Sequence, residues 1–350
     1  MPSKNFTAIR RKLLRWYDQH RRDLPWRRTR DPYAIWIAET MLQQTQVATV
    51  SPYYERFLRE LPSVRALDRA PLKQVLALWS GLGYYRRAEN LKKSAREIVR
   101  QYAGHLPDSH DALLALPGIG EYTAGALMSI AFQRRYPAID GNVHRVLSRL
   151  FTGRTDKELR QAASLLVPRS RPGYFNQGLM ELGATICAPK EPLCPRCPLT
   201  AHCAASAVGE RFSNAAIKKP ASTQNIEWPL AILRRDRKVL LRKRLAGGLL
   251  AGLWEFPGAQ KSRQSLARQL PELSRNLLRR RRHIGEFRHS ITNRRIRSSV
   301  YLIDLPKAVK LRLPNRRWRW LTPAALRKVP VSSMTFKAVK ILADHEKNFS

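Results

Sequence analysis

Carboxylates are scarce in this chain. Its 350 residues hold 26 Asp and Glu against 65 Lys and Arg, a formal net charge of +39 at pH 7 with a sequence pI near 11.2. So positive a surface suits a polyanion. The basic residues run the whole length instead of forming a tail, which is the footprint of a folded protein tracking a phosphate backbone. A long apolar run is also missing. The opening "MPSKNFTAIRRKLLRWYDQH" reads as an amphipathic helix and lacks the apolar stretch of a signal peptide. No segment approaches a transmembrane span, and no basic amphipathic helix dominates to suggest a membrane surface. The expectation is a cytoplasmic protein, nucleoid-associated if bacterial, with no membrane partner. Internal repeats are absent, and arginine clustering such as Arg279 to Arg282 is the only low-complexity feature.

A chain this long, with an ordinary hydrophobic content of 43%, can bury two cores. From Asn5 to about Phe151 the apolar spacing is helical, broken at "LPWRRTRDP", "SGLGYY" and "LPGIG". The helical stretches "TDKELRQAASLLVP" and "GYFNQGLMELGATIC" follow, then a Pro- and Cys-rich segment. This predicts an all-α domain over residues 1–207. Residues 208–227 are polar, interrupted by Pro220, and read as a linker. From 228 to 350 the texture changes to strand-like alternation, in "WPLAILRRDRKVLLRKRL" and "RIRSSVYLIDL", which predicts an α/β or α+β domain.

Cysteine is nearly absent too. Cys187, Cys194, Cys197 and Cys203 are the only four, spaced C-x6-C-x2-C-x5-C. Two disulfides suit a chain without an export signal poorly, and unrelated buried thiols would not crowd together, so the spacing points to metal ligation. Zinc and an iron–sulfur cluster both accept four thiolates, although zinc sites usually pair two C-x2-C knuckles and one is present.

In "ALLALPGIGEYTAGALMSIAF" an apolar helix meets a turn containing Gly118 and Gly120, and a second helix opens near Glu121. Glycines let backbone approach a ligand closely, and free N–H groups at a helix N-terminus favour an anion. Asp140, in "AIDGNVHRVLSRL", stands where a helix N-cap would stand. The order of hairpin, aspartate and cysteine loop resembles the helix-hairpin-helix DNA glycosylase superfamily, and the Pro-rich loop 187–203 resembles the cluster loop of endonuclease III-type enzymes. The resemblance implies a [4Fe–4S] cluster held by the four cysteines, and a catalytic role for Asp140.

The stretch "AETMLQQTQVATV", from Ala38 to Val50, raises a separate question, since it has one carboxylate, Glu39, and a row of amides in an apolar setting. On a helix Trp36 and Leu42 flank Glu39 at three residues either way, so the carboxyl is expected in a dry place with a raised pKa. The stretch closely resembles the matching segment of MutY-type adenine DNA glycosylases. The likeness continues through "LPWR", "GLGYYRRAENL", "LPGIGEYTAGAL", "DGNVHRVLSRL" and "FNQGLMELGATIC", over about residues 5 to 205. It implies a monomeric, monofunctional glycosylase hydrolysing the N-glycosidic bond of adenine opposite 8-oxoguanine or guanine in double-stranded DNA. Glu39 would protonate the base and then activate water, Asp140 would stabilise or capture the sugar cation, and Tyr122 and Asn142 would orient them. Tyr122 replaces the hairpin lysine of strand-nicking relatives. Arg27 and Gln177 would contact the extruded base, Leu42 or Gln44 would fill the space it leaves, and Tyr84, Gly118 and Gly120 would contact DNA.

"GGLLAGLWEFPG" resembles the start of a Nudix hydrolase domain, which then needs closely spaced glutamates for Mg²⁺. From Gly258 to Arg282 the only acidic residue is Glu272, so a DNA-binding descendant is expected, not a hydrolase. In the resembled family a loop similar to "FRHTFSH" inspects the opposite base. This chain has "FRHSITN", Phe287 to Asn293, so the hydroxyl survives at Thr292 while Asn293 replaces the imidazole. The full expectation is multi-domain: an all-α helix-hairpin-helix glycosylase domain with its iron–sulfur loop, followed by an α+β Nudix-like domain.

Overall fold

The computed structural model describes residues 6–207, 223–245, 250, 252–258, 281–291, 293–309, 311, 313 and 317–347. Two compact units emerge, one formed by Met1–Ala70 with Asn90–Ile217, the other by Pro71–Glu89 with Lys218–Ser350.

The first unit is helical. It contains α1 (Phe6–His20), α2 (Pro32–Leu42), α3 (Val47–Glu60) and α4 (Val64–Arg69). Beyond Asn90 come the body of a helix at Arg86–Gln101, then His110–Leu114, Glu121–Ala126, Gly141–Leu150, Asp156–Leu166, Pro172–Thr185 and Ala204–Ala207. Counting Leu72–Leu78 of the other unit as α5, these are α6 to α12. Local chemistry sets their starts. Asp31 caps α2 by accepting from the Tyr33 and Ala34 amides at 3.1 and 3.2 Å, with Pro32 in the first turn. Thr155 and Glu158 form a capping box on α10. Asp140 caps α9 by accepting from the Val143 amide at 2.7 Å. One core joins α1, α9, α10 and α11 through Ile9, Leu13, Val146, Leu147, Leu166, Phe175 and Leu179. Gly183 is what lets α11 lie against the start of α9, since a Cβ there would sit 2.7 Å from that of Asn142.

Among the described residues the second unit is built on a mixed sheet of seven strands: β1 (Gln224–Glu227), β2 (Leu230–Arg235), β3 (Lys238–Lys243), β4 (Trp254–Glu255), β5 (Arg282–Ile291), β6 (Arg294–Asp304) and β7 (Trp318–Leu321). β6 is the spine. It pairs antiparallel with β5, and parallel with β1 near its start and β2 near its end. Alternation along β2 and β3 fills both faces. Leu230, Ile232, Val239 and Leu241 meet Ala338 and Leu342 of α13 (Ser333–Lys347), while Ala231, Leu233 and Leu240 pack with Trp318 and Trp320.

Two boundaries differ from the sequence reading. Strand β1 falls inside the stretch read as linker, because Ile226 alone among its polar neighbours is buried, against Ile296 and Met334. Residues 71–89, read as part of the helical domain, cluster with the sheet instead. Their apolar spacing records a helix but not which core it joins.

Candidate active site

Helix α2 is buried on nearly every side, from Tyr33 to Met41, so its one carboxylate is largely withdrawn from solvent. Glu39 is 5% exposed. Burial pushes its pKa up to about 7, helped by the nearby charge of Asp140 and opposed by a hydrogen bond from Tyr122 and by Arg27. The Tyr122 hydroxyl donates to Glu39 Oε2. Tyr122 comes from the first turn of α8, and burial together with Glu39 holds its own pKa well above the ordinary phenol value.

Glu39 lines a cavity of about 670 Å³ with Asp140, Asn142, Tyr122, Arg27, Leu42, Gln44 and Gln177. That volume fits a small-molecule site. The Asp140 carboxylate is held from two sides, by the Val143 amide on Oδ1 and by Asn142 Nδ2 at 3.0 Å on Oδ2. Asn142 is held in turn, its Oδ1 accepting from Arg145 at 2.8 Å, while Arg145 also donates to the carbonyls of Gly183 and Cys187. The cap therefore connects through α9 to the start of the cysteine loop.

Eight of the expected site residues thus converge. The row of amides, expected on the helix, does not lie on it. α2 ends at Leu42, Gln44 takes a left-handed backbone with φ 56°, and α3 begins only at Val47. Gln43, Gln44 and Gln46 form the turn between the helices, with Gln44 exposed and Gln43 tied to Thr123 of α8 at 3.3 Å. Apolar periodicity carries through this turn in the sequence and hides the break. Gly118 and Gly120 do not line the cavity; they make the turn before α8. Gly118 has φ 82° and lies so close to Asn90 that a Cβ would come within 2.7 Å of it, whereas Gly120, the N-cap of α8, faces open space. The Ser94 hydroxyl anchors this turn by donating to the Pro117 carbonyl at 2.7 Å. Tyr84 and Asn293 belong to the second unit, and Thr292 lies outside the described residues.

Glu181, also on the cavity wall, was not read from the sequence. Glu181, 1% exposed, accepts a two-point contact from Arg22 at 2.6 and 2.9 Å and a bond from Arg27 at 2.7 Å. Burial raises its pKa, but the two guanidinium partners outweigh that and leave it lowered. Arg27 is therefore fixed at the wall, with its guanidinium 5.5 Å from the Tyr17 ring centre, and Tyr17 donates to Gln177 Oε1 at 2.7 Å. Glu181 stands four residues after Gln177 on α11, the spacing of one helical face, and that was the available signal. Glu181→Ala should lower stability by about 3 kcal/mol, since it strands the guanidinium of Arg27. Denaturant unfolding checks this, and a loss below about 1 kcal/mol would make the network dispensable.

The four cysteines line a second, apolar cavity with Leu150, Leu182, Ile186 and Leu199. Arg149 donates to Cys187 Sγ at 3.2 Å and to the carbonyls of Ala188 and Pro189 at 2.7 and 2.9 Å. Among the described residues no three His, Cys, Asp or Glu side chains close around one ion. The four thiols share this one apolar cavity, with a cation against one of them.

A helical unit in which buried Glu39 and half-buried Asp140 line one cavity, together with a separate mixed-sheet unit, defines a two-part DNA repair glycosylase. Residues 37–169 match the HhH-GPD superfamily base excision DNA repair protein family, and residues 230–340 the NUDIX domain. The chain is 36% identical to an adenine DNA glycosylase of Rattus norvegicus, over 97% of this chain and 79% of that protein. It belongs to the adenine DNA glycosylase family. A solved thermostable thymine-DNA glycosylase is 34% identical over 58% of this chain and 97% of its own, with a TM-score of 0.56. An endonuclease III bound to DNA shares the fold of the helical unit, with a TM-score of 0.53 over 61% of this chain and all of that one at 24% identity. No helix among the described residues is long and apolar enough to cross a membrane.

Proposed function

We propose that this chain removes adenine mispaired with 8-oxoguanine or guanine in duplex DNA, by hydrolysis and without cutting the strand. The observation that carries this reading is Glu39, buried and poised near neutrality beside Asp140 on the wall of one cavity. Neutral Glu39 donates its proton to the extruded adenine, which leaves with the electron pair of its glycosidic bond. The sugar becomes cationic, and Asp140, kept in place by Val143 and Asn142, stabilises that charge. Glu39, now a carboxylate, takes a proton from water as the water attacks the sugar carbon. This division of labour between a raised and an ionised carboxyl is that of glycoside hydrolysis. Tyr122 occupies the hairpin position where an amine would form a Schiff base, and a phenol cannot do so.

Incubation with a duplex carrying A opposite 8-oxoguanine should give strand breaks only after alkali. Breaks without alkali, or a borohydride-trapped protein–DNA adduct, would overturn the monofunctional reading.

Cys187, Cys194, Cys197 and Cys203 would hold a [4Fe–4S] cluster, whose bonds to thiolate supply a staple for a loop with little core of its own. Purified protein should be brown and contain about four irons per chain. A colourless protein with one zinc contradicts the assignment.

For the opposite base, the tip of the β5–β6 hairpin is the proposed reader. The Asn293 carbonyl there accepts from the Gln224 amide at 2.8 Å, so β1 pins one side of the tip. A Thr292 hydroxyl can accept a hydrogen bond from the N7–H of an oxidised guanine. Thr292→Ala should reduce the preference for A opposite 8-oxoguanine over A opposite G by about two- to tenfold, the worth of one neutral hydrogen bond. An unchanged ratio at subsaturating enzyme would move the reader elsewhere.

A further inference from the structure

Residues Pro71–Glu89 lie more than a hundred positions from the sheet in sequence, yet they belong to its compact unit. A small set of polar bonds makes the joint. The Tyr85 hydroxyl donates to the Val331 carbonyl at 2.6 Å and accepts from the Gly81 amide at 3.0 Å. The Ser80 hydroxyl accepts from the Val331 amide at 3.1 Å and donates to the Leu76 carbonyl at 3.0 Å. Both backbone groups of Val331 are therefore gripped by one turn. Val331 is itself bridged to Trp254 of β4, so the grip reaches the sheet.

The turn held in this way is costly to form alone. Gly81, Gly83 and Tyr84 all take positive φ, at 105°, 76° and 49°. A tyrosine in the left-handed region persists only where its surroundings enforce it. Trp79 Nε1 and Arg87 both donate to the Gly83 carbonyl, at 3.1 and 3.3 Å, and the Arg87 guanidinium lies over the rings of Trp79 and Tyr84 at 5.5 and 5.3 Å. The product is a ring left 44% exposed, the one aromatic among the exposed large apolar side chains of the described residues. A ring of that kind beside a cation offers a stacking surface for a nucleobase.

We propose that Tyr85 and Ser80 are positioning residues. By locking the turn to Val331 they make the presentation of Tyr84 to DNA a property of the C-terminal unit. That unit then acts on DNA through two elements, the hairpin tip at Asn293 and the Tyr84 turn. The inference rests on the reading that Tyr84 contacts the mispaired duplex, and the test separates the two.

Tyr85→Phe and Ser80→Ala are made singly and each together with Tyr84→Ala, and base release from an A:8-oxoguanine duplex is followed in single turnover at enzyme well below and well above saturation. Tyr84→Ala should lower the subsaturating rate. Tyr85→Phe should lower it about three- to tenfold while the saturating rate stays within about twofold, because binding geometry and not chemistry is lost. Ser80→Ala should act in the same direction and keeps the question answerable if Tyr85→Phe folds poorly. In the Tyr84→Ala background neither substitution should cost anything further, since the ring they position is gone. If Tyr84→Ala lowers the rate but both lock variants leave it unchanged, or cost the same in either background, the lock is structural only and the proposal fails. If Tyr84→Ala has no effect, Tyr84 is not a DNA contact, and that reading fails first.

Discussion

Glu39→Gln should slow adenine release about a thousandfold or more in single turnover, the scale of a lost general acid, and leave duplex affinity near that of the parent. The amide keeps the shape of the carboxyl and can still accept from Tyr122, but it has no acidic proton to transfer. A rate within tenfold of the parent would remove Glu39 from the chemistry. The pH profile supplies a second sign. Because burial brings Glu39 to about pH 7, the protonated form dominates below that point and is lost above it. The rate at saturating enzyme should therefore fall as pH rises through about 7 and approach about a tenfold loss per unit. Tyr122→Phe removes the hydrogen bond that pulls this pKa down, so the falling limb should move to higher pH.

Asp140→Asn should cost about a hundred- to a thousandfold in the same assay, the usual loss when one preorganised charge is removed from a developing cation. An asparagine can still accept from Val143, as an N-cap does, so α9 and the fold should survive. The substitution thus separates the two duties of this residue. Unchanged melting with a collapsed rate assigns the carboxylate to the chemistry, whereas a rate that falls only in step with melting would return it to capping alone.

Much of this site was legible because its residues sit in local patterns that physics constrains. Asp140 before Gly141 announced a cap, and Gly118 with Gly120 a turn between two helices, and both are found. The burial of Glu39 followed from its neighbours at three residues either way. What escaped the sequence depends on distant partners. Glu181 matters because Arg22 and Arg27, more than 150 positions away, converge on it. The bond from Tyr85 to Val331 spans 246 positions, and no periodicity records it. The amide turn after Leu42 was missed for the opposite reason, since its spacing still looked helical while Gln44 turned left-handed.

The central claim is that Glu39 drives release of adenine. The most direct measurement identifies the free base liberated from three duplexes of one sequence, carrying A opposite 8-oxoguanine, A opposite G and T opposite G, by the parent and by Glu39→Gln. The parent should release adenine from the first two and no thymine from the third, and the variant should release neither base. Thymine from the third duplex, or adenine from the variant at the parent's rate, would contradict it.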